Sequence, residues 1–167
     1  RRFGLRRIGL SGGEPLLFPE RVLALLRVLR SSALPLRIDL YTNGDRATPE
    51  LLRELKAAGL DAIRFNAAAR EFDLAPVAAA REVFDEVAVE VPVIPAQVAR
   101  LRKMALELEL LGAPYLNIHE LFICAENSLR SGAGGHRAAG GAQLPHLLWR
   151  PAAGGAEAAL EFLLFCL

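Results

Sequence analysis

The strongest constraint in this sequence is an alternation. Five short β-type runs, Arg7–Leu10, Leu36–Tyr41, Ala62–Phe65 (ending at Asn66), Val87–Ile94 and Tyr115–Leu121, are separated by stretches whose apolar residues recur at helical spacing. Helices are predicted over Pro19–Arg30, with Val22, Leu25, Leu26 and Leu29 on one face, and from Thr48 onward, with Thr48 as N-cap and Pro49 at the first helical position. Leu51, Leu52, Leu55 and Ala58 form the second helix's buried stripe, and Gly59 supplies the residue that ends it. Further helices are expected over Leu74–Asp85 and over Ala96–Leu111, the latter stopped by Gly112, while Pro92 is expected to shorten or bend the fourth strand. Strands that alternate with helices over short connections run parallel and are joined by right-handed crossovers. The predicted class is α/β, a partial (β/α) barrel of about five parallel strands, with a doubly wound open sheet as the alternative.

Both architectures bind ligands at the C-terminal ends of the strands, and there the polar residues collect: Ser11, Glu14, Thr42, Asn43, Asn66, His119 and Glu120. The run Leu10-Ser11-Gly12-Gly13-Glu14-Pro15-Leu16-Leu17 is the most informative of these sites. Adjacent glycines let the backbone approach a ligand closely, and Glu14 adds an acceptor-only carboxylate beside them. That pairing suits a cationic group such as an amino-acid ammonium. The same residues also fit an ordinary strand-to-helix turn.

Composition narrows the function classes. With 53% apolar residues and a net charge of +1, the chain has no electrostatic case for nucleic acid or an anionic membrane surface. No apolar run approaches the roughly 20 residues of a membrane span, and Arg1-Arg2-Phe3 opens no signal-peptide h-region. Two cysteines, Cys124 and Cys166, make no disulfide scaffold, and a cytoplasmic location is expected. Both read as small buried apolar residues. Residues 1–130 read as the core, 131–155 as a Gly/Ala-rich loop, and 156–167 as a C-terminal helix docking through Leu160, Leu163 and Leu164. His119-Glu120 lacks the second histidine of a zinc motif, since Ile123 stands there, so no metal ligands are assigned. Gly132-Ala133-Gly134-Gly135 follows no strand and is set aside as a phosphate loop, and His136 and His146 read as solvated loop residues. Arg1, Arg2, Arg6 and Arg7 read as a solvated strand edge in preference to a phosphate contact, and Arg70 and Glu71 either overhang the site or form a surface ion pair.

Four segments, Ser11-Gly12-Gly13-Glu14-Pro15-Leu16-Leu17, Tyr41-Thr42-Asn43-Gly44, Ile63-Arg64-Phe65-Asn66 and Val91-Pro92-Val93-Ile94-Pro95, resemble the radical S-adenosylmethionine (radical SAM) superfamily in order and spacing. The resemblance extends over residues 7–122 and is strongest to members similar to pyruvate formate-lyase activating enzymes, whose sixth-strand region Tyr115–Leu121 also resembles. It implies a truncated radical SAM-type partial barrel in which Gly12, Gly13, Glu14 and Pro15 hold the methionine ammonium of S-adenosylmethionine. It further implies that Asn43 and Asn66 face the cofactor, Asn66 at its ribose or carboxylate. Val93-Ile94 would flank the adenine, and Asn117, His119 and Glu120 would face cofactor or substrate. Which residue is catalytic stays unassigned.

The departure from the family pattern is the absence of its Cys-x3-Cys-x2-Cys loop, which precedes the Gly-Gly-Glu-Pro element and binds a [4Fe–4S] cluster. Cys124 and Cys166 are too far apart to replace it, because cluster sites need grouped thiolates. The implied reading is a fragment of a radical SAM enzyme with half a cofactor site, inactive alone in reductive cleavage. Its partners would be a protein substrate or a missing N-terminal segment. Two alternatives stay open: a cluster-less module binding a nucleoside or amino-acid derivative, and a metal-free (β/α) enzyme using Glu14 and Glu120 as acid–base groups.

Overall fold

The computed structural model describes residues 4–32, 34–123, 150–151 and 154–166. Elements follow the predicted alternation: β1 (Arg7–Leu10), α1 (Pro19–Ser31), β2 (Arg37–Thr42), α2 (Pro49–Ala57), β3 (Ala62–Asn66), α3 (Ala75–Arg81), β4 (Glu86–Val93), α4 (Val98–Leu110) and β5 (Tyr115–Glu120). A short antiparallel pair, β6 (Phe122–Ile123) with β7 (Arg150–Pro151), and a last helix, α5 (Gly155–Cys166), complete the described elements. The sheet order is β1-β2-β3-β4-β5. Ile8 pairs with Ile38, Leu40 with Ile63, and Phe65 with Val89, all in parallel register. The architecture is a partial (β/α) barrel of five parallel strands. By compactness the chain divides into Arg1–Val91 with Leu106–Asn117, and Pro92–Ala105 with Ile118–Leu167.

In the first unit the period of two sorts the strands into an apolar and a polar face. Ile38, Leu40, Ile63, Phe65, Val87, Val89 and Val91 are buried, as are Leu26, Leu52, Leu55, Val77 and Ala80 of the covering helices. Each of the buried Val, Leu, Ile and Phe side chains contributes about 1.5–3 kcal/mol.

The opposite face carries charge. Asp39 Oδ2 accepts from Arg7 Nε at 2.6 Å and Arg64 Nε at 3.0 Å. Glu86 pairs with Arg7 at 2.5 Å, with Arg64 at 3.5 Å, and with Arg37. Arg64 Nη1 lies 3.7 Å from Glu90, which also accepts from Asn117 Nδ2 at 3.4 Å. The Asp39 hydrogen bond first, and that of Glu86 second, hold the Arg7 guanidinium above the usual arginine range. Arg7 is therefore a rung in an ionic ladder that reaches β4, on an edge strand where its side chain stays 45% exposed. The register places Arg7 beside Arg37 and Ala62 beside Glu86, so like charges are interleaved with acceptors from the next strand.

Local signals set the helix ends. Thr48 Oγ1 accepts from Leu51 N–H at 3.3 Å at the start of α2. At its end Leu60 N–H bonds Leu55 C=O at 2.9 Å and Gly59 N–H bonds Lys56 C=O at 3.0 Å, a Schellman motif with Gly59 at φ +99°. Gly112 ends α4 the same way, through Ala113 to Leu108 and Gly112 to Glu109. Arg30 donates to Gly59 C=O at 2.9 Å, Leu36 C=O at 2.6 Å and Asp61 Oδ2 at 2.5 Å. It thus ties the end of α1 to the entries of β2 and β3.

Several expectations are corrected. α3 ends at Arg81 and does not reach Asp85, because Arg81 Nη1 captures the carbonyls of Phe84 at 3.1 Å and Asp85 at 2.9 Å in the turn that follows. β4 continues through Pro92: the β3 register ends at the Asn66–Glu90 pair, so the missing N–H of Pro92 removes no bond to β3. Leu25 is 44% exposed, so the stripe of α1 is Val22 and Leu26, buried, with Leu29 half-buried.

In the second unit α5 buries Ala158 and Phe162, whereas Leu160, Leu163 and Leu164, the expected docking stripe, are exposed. Glu161 pairs with Arg102 at 2.6 Å on the exposed side of the same helix. Cys166 is exposed, not buried. Cys124, Gly132–Gly135, His136 and His146 lie outside the described residues.

Two substitutions test this account of the first unit. Gly59→Ala is expected to cost about 1–3 kcal/mol in urea unfolding, from left-handed backbone strain and from a Cβ that would stand 2.7 Å from Arg30 Nε. Asp39→Ala, which removes the buried carboxylate shared by Arg7 and Arg64, is expected to cost about 3 kcal/mol. A loss within error of zero for either would contradict the corresponding role.

Candidate functional site

The site begins where β1 ends. Gly12 (φ +111°) and Gly13 (φ +53°) adopt backbone conformations that L side chains rarely reach, which is why two glycines stand there. A Cβ at either would meet no atom within 4 Å, so the space over this backbone is open. Buried Leu16 anchors the 3₁₀ turn Pro15–Leu17 from below. A groove of about 500 Å³ runs between Gly9–Pro15 and the α1-side residues Phe18, Arg21, Val22 and Leu25, with Arg21 stacked 4.6 Å over the Phe18 ring.

Glu14 caps that turn and is held in place by the turn itself and the end of β2. Its Oε1 accepts from Leu16 N–H at 3.0 Å and from the Thr42 hydroxyl at 2.6 Å. Its Oε2 accepts from Asn43 N–H at 2.6 Å. The carboxylate is a fixed negative charge beside open backbone, which can receive a cationic N–H donor.

The structure brings Asn43 to Glu14 through its backbone. The Asn43 side chain turns to Asp45 instead: Nδ2 donates to Asp45 Oδ2 and Oδ1 accepts from Asp45 N–H, both at 2.9 Å. Asn66 is exposed at the end of β3. After it, Arg70 bonds Asp45 Oδ1 at 2.6 Å and Asp73 Oδ2 at 2.7 Å, linking the loops that follow β2 and β3. Glu71 (φ 54°) and Phe72 (φ 67°) carry left-handed backbone directly afterwards. Asp73, and to a lesser degree Asp45, raises the Arg70 pKa. The Arg70 guanidinium, then the Ala75 N–H, holds Asp73 below its ordinary value.

Asn117 is exposed and donates to Glu90. Ile94 and His119 fall in the second unit. Ile94 is half-buried, and its carbonyl accepts from Gln97 N–H at 2.8 Å. His119 is exposed with Nδ1 3.1 Å from the Glu120 carbonyl. Sequence reasoning assigned no role to the Thr42 hydroxyl. The available signal was its place after Ile38 and Leu40 on the apolar face, where a buried hydroxyl requires a partner.

The radical SAM superfamily model matches residues 1–90. The chain belongs to that superfamily. It is 31% identical over 130 residues to a Methanocaldococcus jannaschii protein named, provisionally, as a glycyl-radical enzyme activating enzyme; the match covers 72% of this chain and 34% of the relative. The chain therefore spans about a third of that relative's length. Members of the superfamily use S-adenosylmethionine and a [4Fe–4S] cluster.

The two groups fit this chain differently. A held carboxylate beside open glycine backbone fits the amino-acid end of S-adenosylmethionine. For the cluster the sequence offers two cysteines: Cys166 is exposed on α5, and Cys124 lies outside the described residues. Among the described residues no group of three or more His, Cys, Asp or Glu is placed to hold a metal.

The Arg70–Asp73 pair predicts a pH dependence. A folded pKa below the unfolded one gives stability that is present above the unfolded value, near 3.8, and lost as pH falls through the folded value. Asp73→Asn is expected to flatten the fall in stability between about pH 5 and pH 2 relative to the parent. Urea melts at stepped pH check this, and parallel curves would remove Asp73 from the acid response.

Proposed function

We propose that residues 1–130 form the cofactor-binding core of an activating-enzyme-type radical SAM protein, and that Glu14 receives the methionine ammonium of S-adenosylmethionine. The observation that carries this reading is the Glu14 carboxylate, oriented by three donors from its own turn and the end of β2, beside the open backbone of Gly12 and Gly13. Pro15 starts the turn that sets the carboxylate's height. In the same reading Asn43 shapes the wall, Asn66 meets ribose or carboxylate, and Asn117 faces cofactor or substrate. When bound, S-adenosylmethionine supplies hydrogen-atom abstraction after its reductive cleavage at an iron–sulfur cluster. This chain's residues bind and orient the amino-acid end of the molecule. The 167 residues hold two cysteines and no Cys-x3-Cys-x2-Cys triad, which supports a cluster held by residues outside this sequence. The relative's name supports a polypeptide substrate.

A second reading, a cluster-less module for a nucleoside or amino-acid derivative, is favoured by the same cysteine count. Calorimetric titration separates ligand recognition from chemistry. Glu14→Gln, which removes the charge, is expected to weaken S-adenosylmethionine binding about tenfold; unchanged affinity would overturn the Glu14 assignment. After anaerobic reconstitution with iron and sulfide under reducing conditions, the chain alone is expected to yield no 5′-deoxyadenosine. Turnover there would refute the half-site reading.

A further inference from the structure

The Thr42-Asn43-Gly44 turn has a use that its residue types alone do not reveal. Thr42 is 4% exposed, on the apolar register of β2 with Ile38 and Leu40. A hydroxyl has one proton and two lone pairs. Gly44 N–H donates to Thr42 Oγ1 at 3.0 Å, which occupies the hydroxyl as an acceptor. Its proton is then directed to Glu14 Oε1, 2.6 Å away. Gly44 is itself fixed in place: its φ is +84°, and a Cβ there would stand 3.0 Å from the Phe65 ring and 3.1 Å from Pro76. The direction of the Thr42 hydroxyl is thus set by packed backbone.

The acceptor count on Glu14 completes the picture. An ionised carboxylate offers about four lone-pair directions. Oε1 receives Leu16 N–H and the Thr42 hydroxyl, and Oε2 receives Asn43 N–H. Among the described residues one direction is left, on Oε2. We propose that Thr42 is the positioning residue of this site: by holding Oε1 it turns the remaining Oε2 acceptor toward the ammonium of the ligand. This rests on the reading of Glu14 given above.

The test uses the full chain and two ligands: S-adenosylmethionine, and 5′-methylthioadenosine, which lacks the amino-acid ammonium. Thr42→Val keeps the shape and removes the hydroxyl; it is expected to weaken S-adenosylmethionine binding about tenfold, with Thr42→Ser within about twofold of the parent. Neither variant is expected to change 5′-methylthioadenosine binding. Equal weakening of both ligands by Thr42→Val, or weakening of neither, overturns the proposal. A ligand-free arm measures urea midpoints for Thr42→Val, Glu14→Ala and the double variant. Non-additive shifts are expected, and additive shifts overturn the proposal whatever the ligands do. If the parent binds no S-adenosylmethionine while the shifts are non-additive, the ammonium reading fails and only the structural coupling of Thr42 to Glu14 stands.

Discussion

The structure depends on the neutralisation of charge across the polar face of its sheet. Arg7, Arg37 and Arg64 come from three different strands, and each finds Asp39 or Glu86 within ion-pair distance. A half-buried guanidinium with no carboxylate beside it would be costly, and so would the nearly fully buried Asp39 with no cation. Each partner is acceptable only because the neighbouring strand supplies the other. The register that interlocks Ile38, Leu40, Ile63 and Val87 on the apolar face is the same register that aligns these charges. A shift of one residue would bury arginine against the helices and expose isoleucine, so the two faces enforce one pairing.

That constraint separates two regions of the first unit. Toward the strand entries lie the ion pairs of Arg7 and Arg37 and the Arg30 clasp on Gly59, Leu36 and Asp61. The strand exits carry a second set of contacts: Glu14 with Thr42 and Asn43, and Arg70 with Asp45 and Asp73. These join consecutive βα loops without filling the space above Gly12 and Gly13. A partial barrel of the radical SAM superfamily thus presents, where strands end, a fixed charge next to accessible backbone. This is the arrangement from which a role in cofactor binding is inferred.

Much of the fold was legible from local chemistry. Thr48, Gly59 and Gly112 mark helix ends because caps need only neighbouring residues, and all three act as read. The strand order follows from alternation and handedness. Errors arose where a distant partner intervened. Leu160, Leu163 and Leu164 form as good a stripe as Ala158 and Phe162 when only spacing is considered, and the Glu161–Arg102 pair accompanies the rotation that exposes them. The ion pairing of Arg7 on its exposed edge strand was not legible because Glu86, its partner, is 79 positions away.

The candidate site divides in the same way. The sequence by itself determined that Gly12 and Gly13 free the backbone and that a carboxylate follows, since positive φ and side-chain type are properties of single residues. It also determined the order of strands and helices, through periodicity. Only the tertiary structure decided what Glu14 does with its oxygens. Thr42 and Asn43 stand 28 and 29 positions further on, and no local rule links them to it. They meet because β1 and β2 pair in parallel, so that their exits lie side by side and a hydroxyl on the buried register must find an acceptor there.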